Sequence, residues 1–228
     1  MKYIIIGLGN FGASLGEKLT QRGNEVIGVD SSLSKVDALK EKISHTVCLD
    51  ATDAYTVSGL PLKETDVVIV AIGEDSGANI MATAVLKNLK AKRLISRAIT
   101  PLHETVLQAI GVDEIVHPEE ETAERWAKKL CFKGVVDSFE VNDKFSIIEI
   151  EAPADFVGKT LEEVKLRSKY NLIVLTIIKK VKKRTFTGKL ENFPEVQGIA
   201  TPKSKIEEND IIVLFGSNKD AKKLLEMT

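Results

Sequence analysis

Cysteine is scarce in this chain, which has only Cys48 and Cys131 among 228 residues. The two lie far apart, each among apolar neighbours. That suits buried free thiols in a reducing compartment better than a disulfide or zinc framework, so a cytoplasmic location is expected. Long apolar runs are missing too: none approaches the roughly 18 to 20 residues that a membrane span needs. The first residues lack the basic n-region of a secretory leader. A role at a membrane would therefore depend on another protein. An excess of charge of either sign is also absent, with 32 Lys and Arg against 33 Asp and Glu and a formal net charge of -1. Such a balance offers no general attraction for a polyanion, and a nucleic-acid partner is disfavoured. What is present is an ordinary globular composition, 43% hydrophobic and 29% charged, enough for one large core or two modest ones.

From residue 1 to about 135, short apolar runs alternate with amphipathic segments of helical period. YIII, EVIGV, HTVCL, DVVIVAI, KRLIS and DEIV are the strand candidates. VVIVAI, residues 67–72, is apolar without alternation, as a central parallel strand covered on both faces should be. Right-handed crossovers then give an α/β fold, a Rossmann-like doubly wound parallel sheet with its ligand crevice at the strand C-termini. Residues 136–143, within FKGVVDSFEVND, read as a linker or crossover. Residues 144–228 follow with strands FSIIEIEAP, NLIVLTII and DIIVLFG around a helix-like TLEEVKLRSKY, and read as a small α+β domain. The polar stretch 179–206 carries KKVKKR, read as a solvated, Lys-protected hairpin edge in preference to a phosphate patch.

Gly7, Gly9 and Gly12 fit G-x-G-x-x-G between a strand and an amphipathic helix that closes at Gly23. In such a loop Gly7 permits the tight turn, Gly9 admits a pyrophosphate close to the backbone, and Gly12 lets the helix lie against the sheet. The free N–H groups and positive end of the helix then face an anion. Asp30 ends the second strand where a ribose-binding acid belongs; a carboxylate there favours NAD or an adenine mononucleotide over NADP, and no arginine follows within SSLSK. Asp50, in CLDATD, either lies along the adenine side of the crevice or serves the start of the next helix beside Thr52 and Asp53.

Partners for catalysis are not evident. A dehydrogenase needs a proton-transfer residue and a substrate pocket. No tyrosine is followed four residues later by lysine, and His45, His103 and His117 are isolated and read as structural. GKT at 158–160 is no Walker A, because Pro153 stands where the motif needs glycine. The helix at 119–131 carries Ala123, Trp126, Ala127 and Leu130 along one face, either an oligomer interface or a strip of internal core.

The chain as a whole resembles the regulator-of-potassium-conductance (RCK) proteins, the cytoplasmic regulatory subunits of Trk-type and Ktr-type potassium uptake systems. The resemblance rests on IIIGLGNFG, VIGVD, CLDATD, VVIVAIGED and IGVDEIVHPE, and, in the second half, on the pattern from Pro153 to Arg167 and the strand DIIVLFG. It implies a sensor, not an enzyme, that binds NAD(H) or ADP/ATP, with AMP a lesser variant. Homodimers would assemble into a ring, a tetramer of dimers, and gate a separate membrane potassium-conducting subunit from the inner face of the cell membrane. Gly7, Gly9, Asn10, Phe11 and Gly12 would face the phosphates, Asp30 the ribose, and Asp50 and Ala51 the adenine. Ile72 and Gly73 would line the crevice floor, Arg97 would approach the terminal phosphates, and Glu119 would sit near a nucleotide-associated Mg²⁺ or Ca²⁺. The family often has arginine where this chain has Asn10, which argues against a strong preference for ATP. A cyclic dinucleotide in the second domain, as in some relatives, is left open. The rival readings are a small NAD-dependent dehydrogenase, which would turn over NADH with a carbonyl substrate, and a soluble NADH redox sensor acting on another target, which would not co-purify with a potassium transporter.

Overall fold

The computed structural model describes residues 1–184 and 189–226 and divides into two compact units, Met1–Glu119 and Glu120–Thr228. In the first unit six strands, β1 (Lys2–Ile6), β2 (Glu25–Asp30), β3 (His45–Cys48), β4 (Val67–Val70), β5 (Leu94–Arg97) and β6 (Glu114–Val116), form one parallel sheet in the order β3-β2-β1-β4-β5-β6. Five helices connect them: α1 (Asn10–Gln21), α2 (Leu33–Leu39), α3 (Ala54–Ser58), α4 (Ser76–Asn88) and α5 (Pro101–Ile110). The expected doubly wound fold is therefore present. Residues 67–71 are buried between β1 and β5, with helix residues packed on both faces, which is why the run needs no polar alternation; Ile72, at its end, is half-buried. Two apolar clusters form on the sheet, one around Ile4, Val68, Leu86 and Leu94, the other around Ile5, Val26, Val36 and Ile69.

Helix α6 (Pro118–Cys131) opens at the end of the first unit and continues into the second. The stretch read as a linker is strand β7 (Val135–Asn142), paired antiparallel with β8 (Phe145–Glu151). The five-stranded sheet runs β10-β9-β11-β8-β7, with β9 (Ile173–Arg184), β10 (Leu190–Val196) and β11 (Ile211–Ser217). KKVKKR lies on β9 and pairs with β10, while β11 pairs with β9 only as far as Ile178, so among the described residues the lysines line an open edge of a two-stranded hairpin, as expected; on the outer strand β10, Pro194 has no N–H to offer a stranger. Residues 185–188 of the polar stretch lie outside the described residues.

TLEEVKLRSKY forms two short helices, α7 (Leu161–Val164) and α8 (Leu166–Tyr170), broken at Lys165, whose φ is 57°. Thr160 and Glu163 make a reciprocal capping box at α7, which accounts for the threonine of GKT without any nucleotide. Helix α9 (Asn218–Leu225) closes the unit over a core of Ile150, Leu172, Ile206, Ile212 and Leu224.

The cysteine expectation is corrected. Both thiols are exposed. Cys48 ends β3, an edge strand with no neighbour beyond it among the described residues, and Cys131 ends α6, which buries none of its residues.

Candidate functional site

The sheet order reverses between β1 and β4, and there the two strand ends diverge and leave a crevice. A cleft of about 380 Å³ opens at that point, within the size range of small-molecule sites, about 300 to 1,000 Å³. Its lining includes Gly7, Gly9, Asn10 and Phe11 on one side, Asp30, Asp50 and Ala51 on another, and Ile72, Gly73, Arg97 and Glu119 opposite. Of the residues singled out from sequence, eleven of these meet in one place and Gly12 does not.

Gly7 has φ +96°, and its N–H donates to Val29 O at 2.7 Å, so the turn is tied to β2. Gly12 is buried under that turn: a Cβ there would lie 1.9 Å from Gly7 O and 3.1 Å from the Ala71 methyl. Its place is packing, as the loop mechanics require, and not contact with a ligand. Gly9 is the reverse, with nothing within 4 Å of the position its Cβ would take. It is the N-cap of α1, no side chain caps the helix, and the first turn holds no acid. The amides before Ala13 N, the first to reach back to a helix carbonyl (Gly9 O, 2.9 Å), are left for an anion.

Asp30 is fixed by two backbone donors, Leu8 N to Oδ2 at 2.7 Å and Ser32 N to Oδ1 at 2.9 Å. The carboxylate therefore ties the glycine loop to the end of β2. Asp50 lines the cleft and its Oδ1 accepts from Thr52 N and Thr52 Oγ1, bonds that hold its carboxyl below the usual Asp range. The cap of α3 itself is Asp53, which accepts from Tyr55 N.

Arg97 closes the far side. Its guanidinium pairs directly with Glu119 and lies over Gly73, where a Cβ would come 2.1 Å from Nη1. The arginine side chain is 15% exposed and Glu119 65%. Buried Nε of Arg97 has no hydrogen-bond partner among the described residues. The two opposite charges thus make direct contact, and a cation between them would have to part the pair. No cluster of three His, Cys, Asp or Glu suited to a metal occurs among the described residues, so any ion at Glu119 would have fewer than three such protein ligands.

Sequence reasoning missed several lining residues. Lys35 and Glu74, ion-paired at 3.8 Å, both border the cleft, as does Asp75, which caps α4 by accepting from Ala78 N. Lys35 sits in the very SSLSK segment searched only for arginine. It missed the surroundings of the histidines as well. His117 Nε2 lies 3.6 Å from Glu104 Oε2, and His103 is buried, its proton affinity lowered by desolvation.

Comparison with known proteins adds a family to this geometry. The TrkA-N domain model matches residues 3–118 and the TrkA-C domain model residues 145–228. The chain is 35% identical over 219 residues to the Ktr system potassium uptake protein C of Bacillus subtilis, covering 96% of this chain and 93% of that protein. It is 30% identical over 222 residues to the Ktr system potassium uptake protein A of the same organism, covering 97% and 94%. Among solved structures, the GsuK channel bound to NAD superposes with a TM-score of 0.65 at 19% identity; the match covers 98% of this chain but only 39% of that one, and shows the shared fold. The NAD(P)-binding domain of an exopolyphosphatase-related protein from Archaeoglobus fulgidus matches 57% of this chain and 96% of that one, at 25% identity and a TM-score of 0.52. Matched along both halves and aligned almost end to end with relatives of its own length, the chain belongs to the TrkA-N/TrkA-C family of regulators of potassium conductance.

Proposed function

We propose that this chain is the nucleotide-sensing regulatory subunit of a Ktr- or Trk-type potassium uptake system. It binds NAD(H) or an adenine nucleotide in the cleft and governs a separate membrane subunit that conducts potassium. The observation that carries the reading is the uncapped, acid-free N-terminus of α1 facing a cleft with Asp30 on one side and Arg97 on the other. Helix amides and a guanidinium suit phosphate, and a carboxylate suits ribose hydroxyls. The residues fit such a ligand. Gly9 leaves open the space a Cβ would fill, and buried Arg97 Nε has a donor to spare. The relatives' identity as potassium uptake proteins supports the partner.

The function is regulation, not catalysis. A nucleotide shifts such a subunit between conformations only as far as it binds one more tightly than the other; about 1.4 kcal/mol of preference changes the ratio tenfold. The subunit works as a homo-oligomer, a ring of dimers, at the cytoplasmic face of the membrane, where its partner holds it. No described helix is long and apolar enough to cross a membrane itself. A divalent cation, Mg²⁺ or Ca²⁺, would join the nucleotide through Glu119 and phosphate oxygens, the oxygen-rich setting such ions take.

Mass spectrometry of the nucleotide retained by the purified protein tests the ligand, and co-purification with a membrane potassium transporter tests the partner. Retention of no nucleotide, together with no binding of NADH, ADP or ATP by calorimetry, would overturn the sensor reading. Steady oxidation of NADH with a carbonyl panel would favour the dehydrogenase instead.

A further inference from the structure

Beneath the cleft lies a buried polar network that no sequence motif announced. Asn79, on α4, is wholly buried, as are Thr83 and Ser96, and His103 on α5 is nearly so. The ladder between β4 and β5 ends at Val70 and Ser96. Just past that end, Asn79 Nδ2 donates to Ile72 O at 2.8 Å and to Arg97 O at 3.2 Å. One side-chain amide therefore replaces the ladder where the two strands separate to form the cleft wall.

The other end of the amide is equally used. Asn79 Oδ1 lies 3.0 Å from Ser96 Oγ, 3.2 Å from His103 Nε2 and 3.4 Å from Thr83 Oγ1, and Thr83 Oγ1 lies 3.0 Å from Ser96 Oγ. An amide oxygen has two lone pairs. The distances assign them to the Ser96 hydroxyl and the His103 Nε2–H, while Thr83 donates to Ser96. His103 is then the neutral Nε2–H tautomer, and its buried Nδ1 carries no partner among the described residues. Reversing the amide would set its oxygen against two carbonyl oxygens, Ile72 O and Arg97 O, with no donor between them. Asparagine is the side chain of this length with two donors and two acceptors, and all four are engaged.

The geometry points to Asn79 as a positioning residue for the nucleotide cleft, held in one orientation by Ser96 and His103, that aims the Arg97 guanidinium by fixing the backbone on both sides of it. The two carbonyls it holds flank the tightest approach in the site. Ile72 O precedes Gly73, over which the guanidinium lies, and Arg97 O belongs to the arginine itself. A slackened Ile72–Gly73 peptide or a shifted Arg97 backbone would move the charged head off its seat.

Two measurements on the full chain test this, of which the ligand measurement rests on the nucleotide reading above and the first does not. In nitrogen-edited NMR, the buried Arg97 Nε–H should give a separate, slowly exchanging resonance, identified by its loss in Arg97→Ala. In folded Asn79→Asp and Asn79→Ser proteins it should fall into the free arginine envelope and exchange rapidly. By calorimetry, Asn79→Ser should weaken ADP about ten- to hundred-fold, the range for a hydrogen bond to a charged group, and leave adenosine unchanged. Arg97→Ala should do the same, and the double variant no more than either. A protected Nε–H in the folded variants would overturn the proposal, and so would equal losses for ADP and adenosine, the mark of a merely structural role. Wild-type protein that binds neither ligand would overturn the nucleotide reading, with the resonance still deciding Asn79. If Asn79→Asp does not fold, Asn79→Ser and Ser96→Ala carry the same readings.

Discussion

The two glycines at either end of GNFG should separate folding from binding, because a methyl group at each meets a different environment. At Gly12 the added Cβ would lie 1.9 Å from Gly7 O, a backbone atom that no rotamer can move. The helix or the turn must shift, at the cost of overpacking, about 1 to 3 kcal/mol. At Gly9 the φ of -70° is open to any residue and nothing lies within 4 Å of the Cβ. Alanine there restricts the unfolded chain, a gain of about 0.4 to 1 kcal/mol. It is a poorer N-cap than glycine by a similar amount, roughly 0.5 to 1 kcal/mol. The two terms offset, so Gly9→Ala should unfold in urea within about 0.5 kcal/mol of wild type while Gly12→Ala is clearly weakened. Yet a Gly9 methyl would fill open space beside the cleft lining, which a phosphate seated on the backbone would need, and nucleotide affinity measured by calorimetry should fall at least tenfold. A stable Gly9→Ala protein that binds ADP or NADH like wild type would refute the cradle.

Asp30→Ala should weaken NAD and adenine nucleotides alike, by roughly 1.5 to 3 kcal/mol in titration calorimetry. Arg97→Ala should weaken polyphosphate ligands directly, whereas Glu119→Gln should spare binding without metal and abolish any gain from Mg²⁺ or Ca²⁺; a metal-dependent gain that survives Glu119→Gln rules out a cation at that carboxylate. Trp126 and Leu130 are 53% and 77% exposed and α6 buries none of its residues, so the internal-core reading of its stripe finds no support, and light scattering on Trp126→Glu should show a folded but smaller species. Burial lowers the proton affinity of His103 in the folded chain, so the unfolded state binds more protons below its ordinary pKa of about 6.5. Stability from this residue should be whole above that pH and fall as pH drops toward the lower folded value; urea titrations should lose this slope in His103→Gln.

How much could be read beforehand followed from how local the signal was. Each strand of the parallel sheet is an apolar run between polar segments, and the glycine turn carries its own steric logic, so both were visible in the chain. Strand β7 was not, because only Val135 among its residues is buried and the rest reads as polar loop. The break at Lys165 was hidden because lysine gives no warning of a left-handed backbone. Asn79, Thr83, Ser96 and His103 come from two helices and a strand, and only the sheet order brings them together. Lys35 was passed over because the question asked of its segment was too narrow.

Asp30 had its two side-chain torsions set when the chain folded, since each oxygen already accepts a backbone N–H. Immobilising such a side chain at an interface costs roughly 0.5 to 1.5 kcal/mol, and here an arriving ligand does not incur that loss. Each oxygen keeps a second lone pair, so a ribose would meet an acceptor that is rigid before contact. Asparagine could not stand in, because its amide nitrogen would face either the Leu8 or the Ser32 donor with another donor. The same carboxylate rivets the glycine turn and, on the proposed reading, would accept from a ligand in the cleft, so a change made to alter that ligand would also loosen the loop that would receive its phosphates.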